Sequence, residues 1–346
     1  MEYRRLGRTD IKVSALCLGT MTWGEQNTRE EAFAQMDLAR DRGINFFDTA
    51  EMYPIATRAE TYGATEAIIG DWFDARGQRD KVVLATKVTG PGSRFPYIRD
   101  GKPRLDRRNI LAAVETSLKR LKTDYIDLYQ LHWPDRGVAA FGRLDYSHDP
   151  AAEETPIEDT LRALEEVVHT GKVRHIGVSN ETPWGVMRYL ALAEAGLGPR
   201  IVSIQNPYSF LNRSFEVRLA EIALREDCGL LAYAPLAAGT LTGKYLKGAW
   251  PAGARRTLWP DNTRYQGPHA DAATQAYVGL ARAQGLDPAQ MALAWVLKQP
   301  FLTAAIIGAT SMAQLETDIG AASLDLAPDV MERIEEIHRI YTYPCP

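Results

Sequence analysis

Four residues of this chain have the types and the placement to move a proton. Asp48 ends the apolar run Ile44-Asn45-Phe46-Phe47-Asp48, and Tyr53 follows five positions later in a short loop. Lys87 closes Val82-Val83-Leu84-Ala85-Thr86-Lys87, and His132 closes Tyr125-Ile126-Asp127-Leu128-Tyr129-Gln130-Leu131-His132. A tyrosine hydroxyl, with an ordinary pKa of about 10, is a poor acid at neutral pH unless a cation stabilises its anion. A buried Lys87 ammonium beside Tyr53 would do that, with Asp48 holding the ammonium charged and in place. Neutral His132 can donate a hydrogen bond to a carbonyl oxygen and orient a substrate without competing for the proton. Taken singly, each residue has a blander use, a helix cap or a salt-bridge partner for the aspartate, surface or core for the others. Packing gives no reason to collect the four at successive strand ends, so their conjunction points to one site.

The elements that must position them alternate along the chain. Two short β-prone runs around the turn at Leu6-Gly7-Arg8-Thr9-Asp10 predict an N-terminal hairpin. Strands are predicted over 15–20, 44–48, 81–86, 125–131, 174–178, 201–206, 229–233 and 304–307. Helices are predicted between them over 28–42, 65–76, 107–121, 157–170, 182–195, 214–226, 270–284 or 288–298, and 311–322. Continuously apolar strands require a parallel sheet covered on both faces, and eight strand–helix units fit a closed (β/α)8 barrel better than an open doubly wound sheet. The dinucleotide fingerprint of the open sheet is also missing, since no G-x-x-G follows Gly19. The long connections 88–106, 133–156 and 235–268 each follow a strand end and are expected to cover the mouth. A last helix is expected from Pro328 to Ile340, and the whole of 1–346 reads as a single domain.

Composition excludes several classes. A net charge of -4 and an isoelectric point near 5.9 argue against a nucleic-acid surface. No apolar run is long enough for a bilayer, and the start Met1-Glu2-Tyr3-Arg4-Arg5 lacks a signal-peptide core, so no membrane partner and a cytoplasmic location are expected. Cys17, Cys228 and Cys345 lack zinc-site spacing and read as reduced thiols, with no metal expected. Gly239-Thr240-Leu241-Thr242-Gly243-Lys244 imitates a P-loop, but has three intervening residues where four are required and then Tyr245, so an ATPase is rejected.

Gly19-Thr20-Met21, Asp48-Thr49-Ala50 with Tyr53, Thr86-Lys87, Leu131-His132-Trp133-Pro134, Ile176-Gly177-Val178-Ser179-Asn180 and Gln205-Asn206-Pro207-Tyr208 together resemble the aldo-keto reductase family. Asn206-Pro207-Tyr208-Ser209, Asn212-Arg213 and the Tyr341-Thr342-Tyr343-Pro344 tail are similar to its bacterial Tas-like branch. The resemblance spans essentially the full chain. It implies the (β/α)8 barrel, NADP(H), reduction of an aldehyde or ketone by hydride transfer, and Tyr53 as proton donor within a tetrad completed by Asp48, Lys87 and His132.

The resemblance also implies the cofactor contacts. Gly19, Thr20, Met21 and Asp48 border the site, and Ser179, Asn180 and Gln205 match positions that hydrogen-bond a nicotinamide carboxamide, a neutral group that needs both donors and acceptors. Tyr233 would stack on the ring. The run Ala234, Pro235, Leu236, Ala237, Ala238, Gly239, Leu241, Gly243 and Lys244 would close over the pyrophosphate with its backbone N–H groups. Arg255 resembles the residue that pairs with a ribose 2′-phosphate, which favours NADP(H). Gly308, Thr310 and Gln314, at the start of the last barrel helix, match adenosine-end contacts. Asp318 stands where relatives carry Asn, keeping an acceptor and losing a donor.

Trp23 and Trp133, which follow strand ends, are the expected substrate walls beside Tyr53 and His132, whereas Trp72, Trp184 and Trp295 read as core. The arginines between Arg94 and Arg108 are candidates to favour an anionic substrate. The expected partner is therefore a small-molecule carbonyl compound; the sequence leaves the oligomeric state open. Two other functions fit the same barrel: a cofactor-binding regulatory protein resembling channel β-subunits, and a Schiff-base aldolase on Lys87, which would leave Asp48 and Tyr53 without a purpose.

Overall fold

Strands that are apolar on both faces are stable only when both faces are covered, and the chain meets that need by closing a parallel sheet on itself. The computed structural model describes residues 1–345. A hairpin, β1 (Tyr3–Arg5) and β2 (Lys12–Ser14), precedes β3 (Leu16–Gly19), α1 (Arg29–Asp41), β4 (Phe46–Asp48), α2 (Ala64–Arg76), β5 (Val83–Val88), α3 (Arg107–Leu121) and β6 (Ile126–Leu131). Then come α4 (Ile157–His169), β7 (Val173–Ser179), α5 (Pro183–Glu194), β8 (Ile201–Pro207), α6 (Ala220–Arg225) and β9 (Gly229–Tyr233). The chain ends with α7 (Arg255–Leu258), α8 (Ala270–Ala283), α9 (Pro288–Leu297), β10 (Leu302–Ile307), α10 (Met312–Gly320) and α11 (Pro328–Ile340). Strands β3 to β10 pair in chain order, all parallel, and β10 closes onto β3.

Register is what gathers the chemistry. Asp48 pairs with Ala85, and Lys87 lies two residues further on; Lys87 pairs with Gln130, and His132 lies two residues further again. A step of two preserves which way a side chain faces, because successive residues alternate between faces. Each of the three groups therefore points inward, one pleat further along its strand than the last. Ser179 pairs directly with Gln205 across β7 and β8, and Gln205 pairs with Leu231, two residues before Tyr233, so the step of two returns between β8 and β9.

The floor of the barrel is apolar. Leu6 and Val13 of the hairpin region pack with Cys17, Phe46, Leu128 and Leu231 inside the barrel, while a second and larger core lies between strands and helices. The hairpin thus plugs the end opposite the site, held there in part by Arg4 Nη1 donating to the Leu302 carbonyl at 2.9 Å. Helix α1 starts as the sequence requires, with Thr28 and Glu31 forming a reciprocal capping box. Both alternatives for the penultimate unit are helices, α8 and α9. The helix expected over 214–226 is shorter, because 214–219 makes turns in which Arg213 pairs with Glu216 at 2.6 Å. No helix among the described residues is long and apolar enough to cross a membrane.

Candidate active site

At the open end of the barrel Lys87 is fully buried, its Nζ donating to Asp48 Oδ2 at 2.6 Å and to the Thr49 carbonyl at 2.7 Å. That Nζ lies 5.0 Å from the centre of the Tyr53 ring, and Tyr53 meets the His132 ring edge-on at 5.7 Å. Burial pulls the Lys87 ammonium down, but Asp48 and Tyr53 together outweigh it and hold the group above its ordinary value. Burial, with the Lys87 charge adding to it, holds His132 well below the usual imidazole value of 6.5, so its ring is neutral. His132 Nδ1 is buried without a partner among the described residues.

Tyr53 departs from expectation. Burial pushes its pKa up, and although Lys87 and Arg255 pull the other way, the net direction is upward. The phenol is therefore not a pre-formed anion waiting beside a cation. It is a retained proton next to a charge ready to stabilise the anion once the proton leaves.

Two supports were invisible in the sequence. Asp48 Oδ1 accepts from Gln130 Nε2 at 3.0 Å and from Gln205 Nε2 at 2.8 Å, which aims the other carboxylate oxygen at Lys87. Glu51, fully buried two residues before Tyr53, accepts both terminal nitrogens of Arg99 at 2.6 and 2.8 Å and the Thr89 amide at 2.5 Å. This clamp ties the Tyr53 loop to the connection after β5. Sequence spacing gave no signal for either, since the partners are 38 to 157 residues apart.

That connection brings Phe95 and Ile98 against Ala50 and Met52, with Tyr53, Tyr97 and Trp133 alongside. Trp133 is where the sequence suggested, its indole nitrogen donating to the Pro91 carbonyl at 2.9 Å and its ring 4.9 Å from that of His132. An added Cβ at Gly90 would sit 2.5 Å from that nitrogen, so only glycine lets the indole approach. Trp23 is not a wall: it is fully buried in the core between barrel and helices and donates to Gln35 Oε1 at 2.9 Å. The bulky indole went inward because α1 offered both apolar cover and a side-chain acceptor. Trp72 and Trp295 are core as expected, whereas Trp184 is 62% exposed. Four of the five arginines of 94–108 are paired: Arg99 meets Glu51, Arg104 meets Asp135 at 2.9 Å, and Arg107 and Arg108 pair with Glu166 and Asp100, while Arg94 is exposed with no carboxylate within salt-bridge distance among the described residues.

The residues expected to hold NADP(H) fit such a group. Ala237 and Ala238 take φ of 49° and 55°, followed by Gly239 at 85°, so the loop after β9 is a tight stretch of left-handed backbone in which the Ala237 and Gly239 amides donate to the Ala234 and Leu236 carbonyls at 2.8 and 2.9 Å. A Cβ added at Gly239 would lie 2.9 Å from Lys244 Nζ, which places that ammonium on this loop. Lys244 and Arg255 have no carboxylate within salt-bridge distance among the described residues, and burial lowers the pKa of both, the state of cations that lack their anion. Arg255 lies beside the end of β3, with Nη1 3.6 Å from the Met21 sulfur.

The amide groups are already networked. Asn180 donates to the His132 carbonyl at 2.9 Å and accepts from the Tyr233 hydroxyl at 2.6 Å, while Ser179 Oγ donates to the Gln205 carbonyl at 2.8 Å. Both hydrogens of the Gln205 amide are used, one on Asp48 and one on Gln130 Oε1 at 3.0 Å. The acceptor oxygens of Ser179 and Gln205 keep capacity for the N–H groups of a carboxamide. At the far end, Gln314 Oε1 accepts from the Thr310 amide at 3.0 Å, and Asn27 donates to the Thr310 carbonyl at 3.1 Å, fixing the turn after Gly308.

Asp318 is buried, and burial, with the Asp287 carboxylate adding and Lys244 opposing, pushes its pKa up to about 7. A carboxyl whose folded pKa exceeds its ordinary 3.8 stabilises the fold fully only below that value and loses the contribution as pH rises through about 7. Asp318→Asn is therefore expected to raise the melting temperature by a few degrees at pH 8 and to change it little at pH 4. Equal shifts at both pH values would show that the carboxyl is not titrating in this window.

The sequence matches the model of the Aldo/keto reductase family over residues 15–339. It is 53% identical to "Protein tas" of Escherichia coli (strain K12) over 346 residues, the whole of both chains. It is 39% identical to "Uncharacterized oxidoreductase YrpG" of Bacillus subtilis, covering 97% of this chain and 96% of that one. A likeness at 31% identity, again over 97% and 96%, joins it to "Probable voltage-gated potassium channel subunit beta" of Arabidopsis thaliana. Together with the closed barrel and the four residues at its mouth, these matches settle the affiliation: the chain belongs to the aldo/keto reductase family.

Proposed function

We propose that the protein is an NADP(H)-dependent reductase of aldehydes and ketones in which Tyr53 donates the proton. The observation that carries this reading is the meeting of Tyr53, Lys87, Asp48 and His132 at one mouth, with the Asp48–Lys87 pair closed at 2.6 Å. When bound, NADP(H) supplies the hydride. Tyr53, kept protonated by burial, gives its hydroxyl proton to the oxygen of the carbonyl, and the Lys87 ammonium stabilises the phenolate left behind. Neutral His132 donates to the same oxygen and positions it. Trp133 and the Phe95–Ile98 segment exclude water from the carbonyl.

The unpaired cations Lys244 and Arg255 support NADP(H) over NAD(H), since a 2′-phosphate needs a compensating charge. Three buried, unbridged cysteines support a reducing compartment, the cytoplasm. The test is titration with NADPH and NADH followed by a panel of aldehydes and ketones. NADPH is expected to bind at least about tenfold more tightly, and Arg255→Leu to narrow the difference. The likeness to channel β-subunits favours a second reading, a cofactor-binding regulatory protein. Tight NADPH binding with no turnover on any carbonyl would select it over the reductase.

A further inference from the structure

Arg264 sits in the connection after β9, partly buried, against Tyr233. Its Nη2 donates to the Tyr233 hydroxyl at 3.0 Å, and its Nε is buried without a partner. Its guanidinium carbon lies 5.3 Å from the Tyr233 ring, 5.5 Å from Tyr265 and 6.0 Å from Phe141. The titratable groups that bear on it are Tyr233, Tyr265 and Tyr343, and no carboxylate is among them. Five other partly buried arginines differ, although Arg256, whose Nη2 donates to the Tyr265 carbonyl at 3.2 Å, does not. Arg79, Arg99, Arg104, Arg120 and Arg213 each meet a carboxylate within 2.9 Å.

Two lines of contact join Arg264 to the tetrad. One runs through the Tyr233 hydroxyl to Asn180 at 2.6 Å and on to the His132 carbonyl at 2.9 Å. The other runs through Phe141, whose ring stands 6.1 Å from that of Trp133, which in turn lies 4.9 Å from His132. With Nε unbonded and only phenols and rings around it, the guanidinium keeps donors to spare, and a planar fork of donors is matched best by a carboxylate.

We infer that Arg264 receives a carboxylate carried by the carbonyl substrate, so that the preferred substrates are aldehydes or ketones bearing an acid group beyond an apolar or aromatic spacer. The inference rests on the reductase reading and names the substrate class of that site. It moves the anion preference from the arginines of 94–108, four of which pair with carboxylates, to a residue of the connection after β9. Arg255, on the same connection, is left to the cofactor phosphate.

The test compares kcat/KM for 3- and 4-carboxybenzaldehyde with that for 3- and 4-methylbenzaldehyde, in the wild type, Arg264→Met and Arg264→Lys. For at least one pair the acid is expected to be preferred about tenfold or more; Arg264→Met should bring that ratio near one and Arg264→Lys should restore part of it. A ratio near one for both pairs in the wild type, or a ratio that survives Arg264→Met, overturns the proposal. So does a large loss of NADPH affinity in Arg264→Met with the ratio unchanged, which would assign the arginine to the cofactor. Calorimetric titration of benzoate and benzamide into the NADP complex gives an arm independent of turnover. Benzoate should bind at least about tenfold more tightly than benzamide and lose that advantage in Arg264→Met. If no aldehyde is reduced while benzoate behaves so, the reductase reading fails and the anion site stands; equal binding of the two sinks the site itself.

Discussion

Tyr53→Phe is expected to lower the rate of carbonyl reduction by about 10³-fold while leaving NADPH affinity within about threefold of the wild type. The change removes one oxygen atom and keeps the ring, so the edge-on packing against His132 at 5.7 Å survives. Among the described residues Tyr53 is the phenol that bears on Lys87, and neutral His132 is too weak an acid to replace it. The upward shift of Tyr53 adds a pH signature. A general acid works while it holds its proton, so kcat/KM for reduction should stay level through the neutral range and fall only above the ordinary tyrosine value of 10.0. Stopped-flow measurement of NADPH oxidation across pH checks both points. A Tyr53→Phe variant with near-normal turnover would remove the phenol from the chemistry.

The second large effect separates stability from catalysis. Asp48→Asn leaves the Lys87 ammonium fully buried with only the Thr49 carbonyl and a neutral amide for company, and breaking such a pair costs about 3 to 5 kcal/mol. Lys87→Met strands the Asp48 carboxylate instead, although Gln130 and Gln205 still donate to one of its oxygens. Each single variant is expected to lose stability and about 10² to 10³-fold in turnover. The double variant Asp48→Asn/Lys87→Met has no buried charge left to satisfy and a thioether of similar length in the lysine's place. It should recover most of the lost stability in urea unfolding and none of the turnover. Recovery of both would make the pair a structural device alone; recovery of neither would mean that the two residues do not act on each other.

Much of the architecture was legible in the chain because it follows from local chemistry. Apolar runs of strand length separated by amphipathic helices allow few arrangements, and eight of them favour closure. The capping box at Thr28 and the stop at Gly43 are read from neighbours a few residues away. The helix expected over 214–226 failed for the complementary reason. Its first turn is overridden by Arg213, which reaches Glu216 nearby and Glu335 on α11, at 3.0 Å, from far along the chain.

The order of residues alone marks the strand ends that carry Asp48, Lys87 and His132, the loop that carries Tyr53, and the aromatic residue after His132. These are properties of residue type and short spacing. That a stagger of two residues between neighbouring strands turns all three groups into one cavity emerges on folding. Folding also puts Trp23 into the core, lets Glu51 and Arg99 lock the tyrosine loop, and leaves Arg264 against the Tyr233 hydroxyl with no carboxylate beside it. Even the sign of the Tyr53 shift belongs to that level. The charge on Lys87 is written in the sequence, but how far burial outweighs it depends on what the folded chain packs around the phenol.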